Sequence, residues 1–392
     1  MQFVLSVIKN ETVLSIAVLL AVISAVFVPF DSQYLQYIDF RTLALLYCLM
    51  TVIAGIRRRG VFSVIAGNLV SRSKEPSGTV TILVAASFFL SMLITNDVSL
   101  ITLVPLTMTC FDQLPTESQK NWLIPGVVLE TVAANLGSMA TPIGNPQNLY
   151  LYGLSDLSLV SFCRIILPYS VVSLVLLLLW IRVHQYRCTS GKRGTASTTV
   201  STTASTTEKA RSSVASGTIT EMRVIAAYCT LFLLCLSTVA RITPWPIPLA
   251  AVLIYVLIFD RKTVSDVDYS LLGTFLALFV FIGNLGRINV FRSLLSSILN
   301  GHEVFTAIAA SQVMSNVPAA ILLSGFTSDL RSLIIGTNLG GLGTLIASMA
   351  SLISYKLITK GGRISKGQYL LYFTGTNAVF LGCLISLYLL IR

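Results

Sequence analysis

Residues 79–111 read TVTILVAASFFLSMLITNDVSLITLVPLTMTCF, a long apolar run with a polar break at Thr95-Asn96-Asp97. There are 16 residues from Thr79 up to the break and 14 from Val98 to Phe111. A bilayer core about 30 Å thick takes about 20 residues of helix. The whole run is too long for one span and too short for two. Each arm rises only about 20 Å and stops partway through the lipid. The stretch is expected to be a re-entrant hairpin with Thr95, Asn96 and Asp97 at its tip. A tip of this kind must be buried in protein or line a wet cavity, because its backbone groups cannot face lipid.

The rest of the chain points the same way. Of 392 residues, 54% are apolar and 11% charged, and the mean hydropathy is +0.82. Soluble domains carry about 25% charged residues, and a soluble fold of this size has too little interior for so much apolar surface. Apolar runs of spanning length lie at 12–30, 39–56, 158–183, 223–240, 246–259, 268–286 and 367–391. The first is longer than the apolar core of a signal peptide. Regions 122–154 and 330–355 are apolar but interrupted midway by Gly, Asn and Thr, with Pro also in the first. A second re-entrant hairpin is expected at 303–326, where Glu303–Met314 and Val317–Phe326 flank Ser315-Asn316. The fold class is thus an all-α membrane protein with two hairpins and two broken helices.

A net charge of +11, from 27 Lys+Arg and 16 Asp+Glu, could suit a nucleic-acid partner. The basic residues instead occupy short loops between apolar runs, the positive-inside pattern. With nine full spans and both hairpins re-entrant, the N-terminus is cytoplasmic and the C-terminus outside. The cytoplasmic side then holds 20 Lys and Arg against 6 outside, with Arg164 near the outer end of a span. Counting 79–111 as one span would invert everything downstream and spoil this bias. The seven cysteines form no CxxC pair, and His184 and His302 lie in loops. No nucleophile–base pair or metal-ligand set falls within the bilayer, which argues against an intramembrane enzyme. No cofactor is expected beyond a coupling ion.

Residues 188–220 are rich in Ser and Thr and poor in large apolar side chains, the composition of a disordered cytoplasmic linker. They divide the chain into a first half, 1–187, and a second, 221–392. The halves match without gaps. At an offset of 229, Phe30-Asp31 meets Phe259-Asp260, Asp39 meets Asp268, Arg58 meets Arg287 and Val61-Phe62 meets Val290-Phe291. At 220, Asn96 meets Asn316; at 203, Asn135-Leu136-Gly137 meets Asn338-Leu339-Gly340, and Thr141 meets Thr344. Five full spans separate the starts of the two units, and five is odd. The repeat is therefore inverted, and broken helices at matching positions of inverted halves are the strongest sequence pointer to a transporter site.

The richest motif runs from Asn135 to Asn148, NLGSMATPIGNPQN. Pro142 and Pro146 interrupt a helix here, and Gly137 and Gly144 allow close approach. Unwinding frees carbonyls for a cation, while the next half-helix aims N–H groups at an anion. Asn135, Ser138, Thr141, Asn145, Gln147 and Asn148 add neutral donors and acceptors. The matching segment Gly336–Thr344 carries Asn338, Gly340, Gly341 and Thr344; Gly336 and Gly340 also fit a helix-packing GxxxG face. Asp97 and Glu130 are the carboxylates placed away from loops, and intramembrane acids are costly and functional by default. A structural hydrogen bond between helices is the other reading of Glu130.

These residues carry a resemblance. The tip Thr95-Asn96-Asp97-Val98, the loop Thr141–Asn148, the tip Ser315–Ala320 and the segment Asn338–Thr344 resemble the ion transporter superfamily. The chain is most similar to its citrate-transporter-like permeases, grouped with arsenite efflux pumps, NhaD-type antiporters and divalent anion/sodium symporters. The resemblance implies a homodimer with a scaffold and a mobile transport domain, working by an elevator-like movement. It implies Na⁺ positions at Asn96, Asp97 and Asn145, and at Asn316 and Thr344. In the symporters each tip reads Ser-Asn-Thr. Here the tips are Thr95-Asn96-Asp97 and Ser315-Asn316-Val317, and the aspartate is more similar to the arsenite and antiporter branches.

The expected function is a secondary active transporter of a small anion, coupled to Na⁺ or H⁺. A Na⁺/H⁺ antiporter using Asp97 and Glu130 is the alternative, and an ion channel a remote one. The expected partners are the lipid bilayer, the anion and a second copy of the chain.

Overall fold

Lipid offers the backbone no hydrogen-bond partners, so each spanning segment must satisfy its own peptide groups. The computed structural model, which describes residues 11–71, 73, 75–190, 219–360 and 364–392, meets this with helices throughout; no strand occurs among those residues. The first half contains α1 (Thr12–Phe27), α2 (Phe40–Arg58), α3 (Val61–Val70), α4 (Pro76–Ile94), α5 (Asn96–Asp112), α6 (Thr116–Ser138), α7 (Pro146–Leu154) and α8 (Leu159–Ser190). The second contains α9 (Ile219–Val239), α10 (Pro246–Phe259), the short α11 (Arg261–Val264), α12 (Tyr269–Arg287), α13 (Asn289–Leu299), α14 (Glu303–Met314), α15 (Asn316–Ser324), α16 (Leu330–Leu339), α17 (Met349–Thr359) and α18 (Lys366–Ile391). Six helical stretches are long and apolar enough to cross a membrane, and the chain is a multispanning membrane protein.

Both interrupted regions are broken helices: α6 gives way to α7 across Met139–Asn145, and α16 to α17 across Gly340–Ser348. The hairpin of residues 79–111 is present as α4 and α5, which meet at Thr95. Its arms are longer than the hydropathy suggests. Pro76, pre-set for a first helical turn, starts α4 three residues before Thr79, giving 19 residues, and α5 has 17. Of the linker residues 188–220, helix α8 takes in 188–190 and α9 begins at 219; the remainder lies outside the described residues.

Hydropathy did not single out α3 and α13. Each follows a long helix, α2 or α12, and is too short to span. In α13 only Leu299 is buried, with Val290, Phe291 and Leu294 exposed on one face, as in a helix lying along an interface.

Two groups of helices sort out by packing. In the first, α1 packs on α12, while α9 and α10 pack on α2. Asp39 and Asp268 start α2 and α12 in the same way, accepting N–H bonds from Thr42 (3.0 Å) and Leu271 (2.9 Å). In the second, α4 and α5 pack on α6, and α14 and α15 on α16. The second arm of each hairpin also lies on the other unit's later half-helix, α5 on α17 and α15 on α7. Contacts of α7 with α2 and of α15 with α12 join the groups.

Candidate functional site

Thr95 closes the first hairpin with φ 72° and ψ 151°, and Ser315 closes the second with φ 75° and ψ 153°. Side chains other than glycine rarely adopt this backbone region; holding one there costs about 1–3 kcal/mol and requires firm surroundings. The surroundings are the loops of the broken helices. The Asn96 N–H donates to the Gly144 carbonyl (3.2 Å), and the Thr141 hydroxyl donates to the Met92 carbonyl (2.5 Å). In the second unit the Thr344 hydroxyl donates to the Gln312 carbonyl (3.1 Å), and the Ser315 hydroxyl reaches the Ala347 carbonyl (3.5 Å). The same offsets, 220 for the hairpins and 203 for the broken helices, relate Met92 to Gln312, Thr141 to Thr344 and Gly144 to Ala347.

Close helix approach is also duplicated. A Cβ on Gly137 would meet the Phe88 carbonyl and the Ser91 hydroxyl, and one on Gly340 would meet the Ser311 hydroxyl. Only glycine fits at either crossing.

At the centre two buried asparagines cross. Asn135 Oδ1 accepts from the Asn96 amide and the Ser348 hydroxyl, both at 3.0 Å. Its own amide donates to Ser351 Oγ (3.2 Å) and the Gly341 carbonyl (3.4 Å). Asn338 Oδ1 accepts from the Asn145 amide (3.1 Å), and its amide donates to Asn148 Oδ1 (2.6 Å) and the Ile334 carbonyl (2.7 Å). Offset 203 carries Asn145 to Ser348 and Asn148 to Ser351. Each asparagine therefore reaches the first turn of the opposite unit's later half-helix. Asn145 Oδ1 caps α7 through the Asn148 N–H (3.0 Å), and the Ser138 hydroxyl donates to the Asn135 carbonyl (3.0 Å). Gln147 is buried beside them.

Beneath this crossing lies a cavity of about 300 Å³. Leu46, Leu49, Met50 and Ile53 of α2 form one wall; Thr95, Asp97, Val98, Ile143 and Asn145 form the other, and Arg57, Asp266 and Asp268 complete it. Two of its three carboxylates are committed, Asp266 to Arg58 (3.0 Å) and Asp268 to the cap of α12. Asp97 is not: its Oδ1 is buried without a hydrogen-bond partner. It also sits in the first turn of α5, where a helix N-terminus favours negative charge.

The expected site residues thus fall into four places. Asp97, Thr95 and Asn145 share the cavity, and Asn96 turns its side chain inward to Asn135. Asn135, Ser138, Asn148, Asn338 and Gly341 form the crossing, with Asn316 against Gly341. Glu130 is fully buried and does not line the cavity; its Oε1 accepts from the Thr107 hydroxyl and its Oε2 has no partner. Thr344 is exposed and, among the described residues, shares no hydrogen-bond partner with Asn316. Sequence reading missed Ser348, Ser351 and Gln312. All three sit at repeat offsets from Asn145, Asn148 and Met92, so the alignment of the halves held the signal, but serine against asparagine does not score as a match.

Residues 2–330 match the family described as citrate transporter. The chain belongs to that family. The match takes in the first hairpin, Asp97, Glu130 and the Asn135–Asn148 loop; Asn338 lies beyond it. Among relatives, inner membrane protein YbiR of Escherichia coli is 29% identical over 360 residues, 90% of this chain and 89% of that protein. The uncharacterized transporter MJ0456 of Methanocaldococcus jannaschii is 29% identical over 343 residues, 86% of each. The silicon efflux transporter LSI3 of Oryza sativa subsp. japonica is 33% identical over 156 residues, 39% of this chain and 30% of that protein. This citrate transporter family member is a membrane transporter.

Proposed function

We propose that the chain moves a small anion by secondary active transport coupled to Na⁺ or H⁺, with the coupling ion at Asp97. The single observation that carries this reading is Asp97 at a strained hairpin tip, which lines a cavity between α2 and the crossing broken helices and keeps one carboxylate oxygen buried without a partner. A cavity of that size suits a small ligand. An anion entering it meets Arg57, the α5 and α7 N-termini and neutral amides, and a cation on Asp97 offsets the nearby carboxylate. Na⁺ at Asn316 and Thr344 has less support, since the two side chains have no common partner.

The inverted repeat has support in the duplicated contacts at offsets 203 and 220. That the chain ends each hairpin on the side where it began, as re-entrance requires, has support in the polar pairs between distant segments; the cytoplasmic N-terminus rests on the distribution of Lys and Arg. Arg59–Asp260 (2.8 Å), Arg58–Asp266 (3.0 Å) and Ser270–Glu11 (2.5 Å) join ends that the topology puts inside. Arg287–Asp31 (2.9 Å) and Arg241 with the Ser155 carbonyl (2.5 Å) join ends it puts outside. The α1–α2–α9–α10–α12 group is then the scaffold and the hairpins with the broken helices the moving unit, in an elevator-like cycle between the two sides. Dimerisation would fix the scaffold in the bilayer.

A Na⁺/H⁺ antiporter remains the second reading, because the cavity holds three carboxylates against Arg57. Flux in proteoliposomes separates the two. Accumulation of radiolabelled citrate driven by a Na⁺ or pH gradient supports the first. A change in lumenal pH on adding Na⁺ alone, with no anion present, replaces it with the second. A melting-temperature screen of the purified protein against anions, with and without Na⁺, identifies the ligand.

A further inference from the structure

A second set of uncommitted oxygens lies away from the cavity. Helices α5, α6, α17 and α18 enclose a small apolar cluster containing Leu100, Val104, Val127, Val128, Ala350, Ile358, Tyr369 and Phe373. Three polar atoms in and around it are buried without a partner: Glu130 Oε2, Ser354 Oγ and Tyr369 Oη. Ser354 is on the α17 face that carries Ala350 and Ile358 into the cluster, and the Tyr369 hydroxyl faces Thr131 and Glu130. Thr107 on α5 holds the other carboxyl oxygen, and Ser87 on α4 donates to the Glu130 carbonyl at 3.0 Å.

The titratable groups facing Glu130 include no basic side chain. They are Cys110 on α5 and Tyr369 on α18, with Tyr355 of α17 against the Tyr369 ring at 5.7 Å. Helix α4 offers Ser87, and α8 brings His184 to the Asn121 carbonyl (2.9 Å) and the Trp122 ring (centroids 4.7 Å apart), more than two turns along α6 from Glu130. An ionised carboxyl here would be a buried charge with no counter-charge, the most costly arrangement a protein interior can hold. A metal ion is also poorly served. Helix α6 is unbroken through Glu130, so no main-chain carbonyls are free to surround it.

We propose that Glu130 is a proton-binding site of the moving unit, distinct from the cation position at Asp97. The carboxyl is protonated in this conformation. Its proton sits on Oε2, the oxygen left without a hydrogen-bond partner, while Oε1 accepts from Thr107. Releasing the proton requires the seam between α5, α17 and α18 to part, which links proton occupancy to the position of the hairpin arm. This linkage rests on the transport reading; the presence of the proton does not.

Infrared spectroscopy of the purified full chain in lipid nanodiscs at neutral pH tests it directly. The expected result is a protonated-carboxyl stretching band, shifted by D₂O, that Glu130→Gln removes and Asp97→Asn leaves. Thr107→Val, which keeps the carboxyl but removes its donor, shifts the same band. No such band in the wild type, a band surviving Glu130→Gln, or one unmoved by Thr107→Val overturns the assignment. In proteoliposomes loaded with a pH dye, Glu130→Gln is expected to lose the proton movement that accompanies citrate flux; unchanged proton movement overturns the linkage alone. If the wild type moves no citrate, the transport reading fails while the infrared result still decides the proton site.

Discussion

At the scale of single residues, Asp97 and Asn135 divide the work. Asp97 is free on one oxygen and makes little contribution to packing, so Asp97→Asn should abolish ion-driven flux in proteoliposomes with a melting temperature close to wild type. Unchanged flux would remove Asp97 from the mechanism. Asn135 is the reverse case, with amide and carbonyl both spent on partners from three other segments. Asn135→Ala strands those buried groups at about 1–3 kcal/mol, and thermal unfolding in detergent should show it as a clear loss. Ser351→Ala, which removes one of the four bonds, should lose less. A loss from Ser351→Ala as large as that from Asn135→Ala would mean the crossing is not held as described.

At the scale of elements, each hairpin is held at its tip by backbone that would not choose that shape alone. Thr95 keeps a positive φ because the Asn96–Gly144 and Thr141–Met92 bonds fix both sides of the turn. Thr95→Gly should therefore raise stability, by up to about 1 kcal/mol once the lost side chain is counted, while slowing coupled flux by loosening the tip beside Asp97. A fall in melting temperature would show that the side chain matters more than the strain. The tip was legible in the sequence because Thr-Asn-Asp interrupts an apolar run. Its backbone conformation was not, since nothing in those residues distinguishes a strained turn from a relaxed one.

At the scale of the whole molecule, ion pairs fasten the frame. Asp260, between α10 and α11, is pushed up by burial, but hydrogen bonds from Arg59, Thr263 and Tyr228 and the charge of Arg59 outweigh this and hold it below the usual carboxylate range. A carboxyl depressed in the folded state adds stability above its unfolded value, about 4, and loses it as pH falls through the lower folded value. Melting temperature should hold steady from neutral to mildly acidic pH and fall below about pH 4; Arg59→Gln, which removes the main cause of the depression, should melt lower at neutral pH and show a smaller acid-side fall. The position of the cavity gives a further expectation. In a background without native cysteines, a cysteine at Met50 should react with an impermeant maleimide from one side of the membrane. Its counterpart at Phe279, packed against Tyr150 and Phe275, should react slowly in this state. Equal labelling of both from the same side would exclude a one-sided opening.

Composition, the lengths of apolar runs and the placement of Lys and Arg determined that the chain is helical and crosses the membrane many times, because lipid thickness and backbone desolvation leave few other solutions. Matching Asn-Leu-Gly segments also marked where the helices break. Only the tertiary structure decided which polar groups remain free. Asn135, Asn338 and Thr344 read as ligands in the sequence and prove spent on other protein groups, Asn135 on Asn96, Ser348 and Ser351, Asn338 on Asn145 and Asn148, and Thr344 on Gln312, whereas Asp97 and Glu130 keep an unpaired oxygen each. Whether a buried polar atom is satisfied depends on atoms two hundred residues away brought within 3 Å, and no local pattern along a chain encodes that distance.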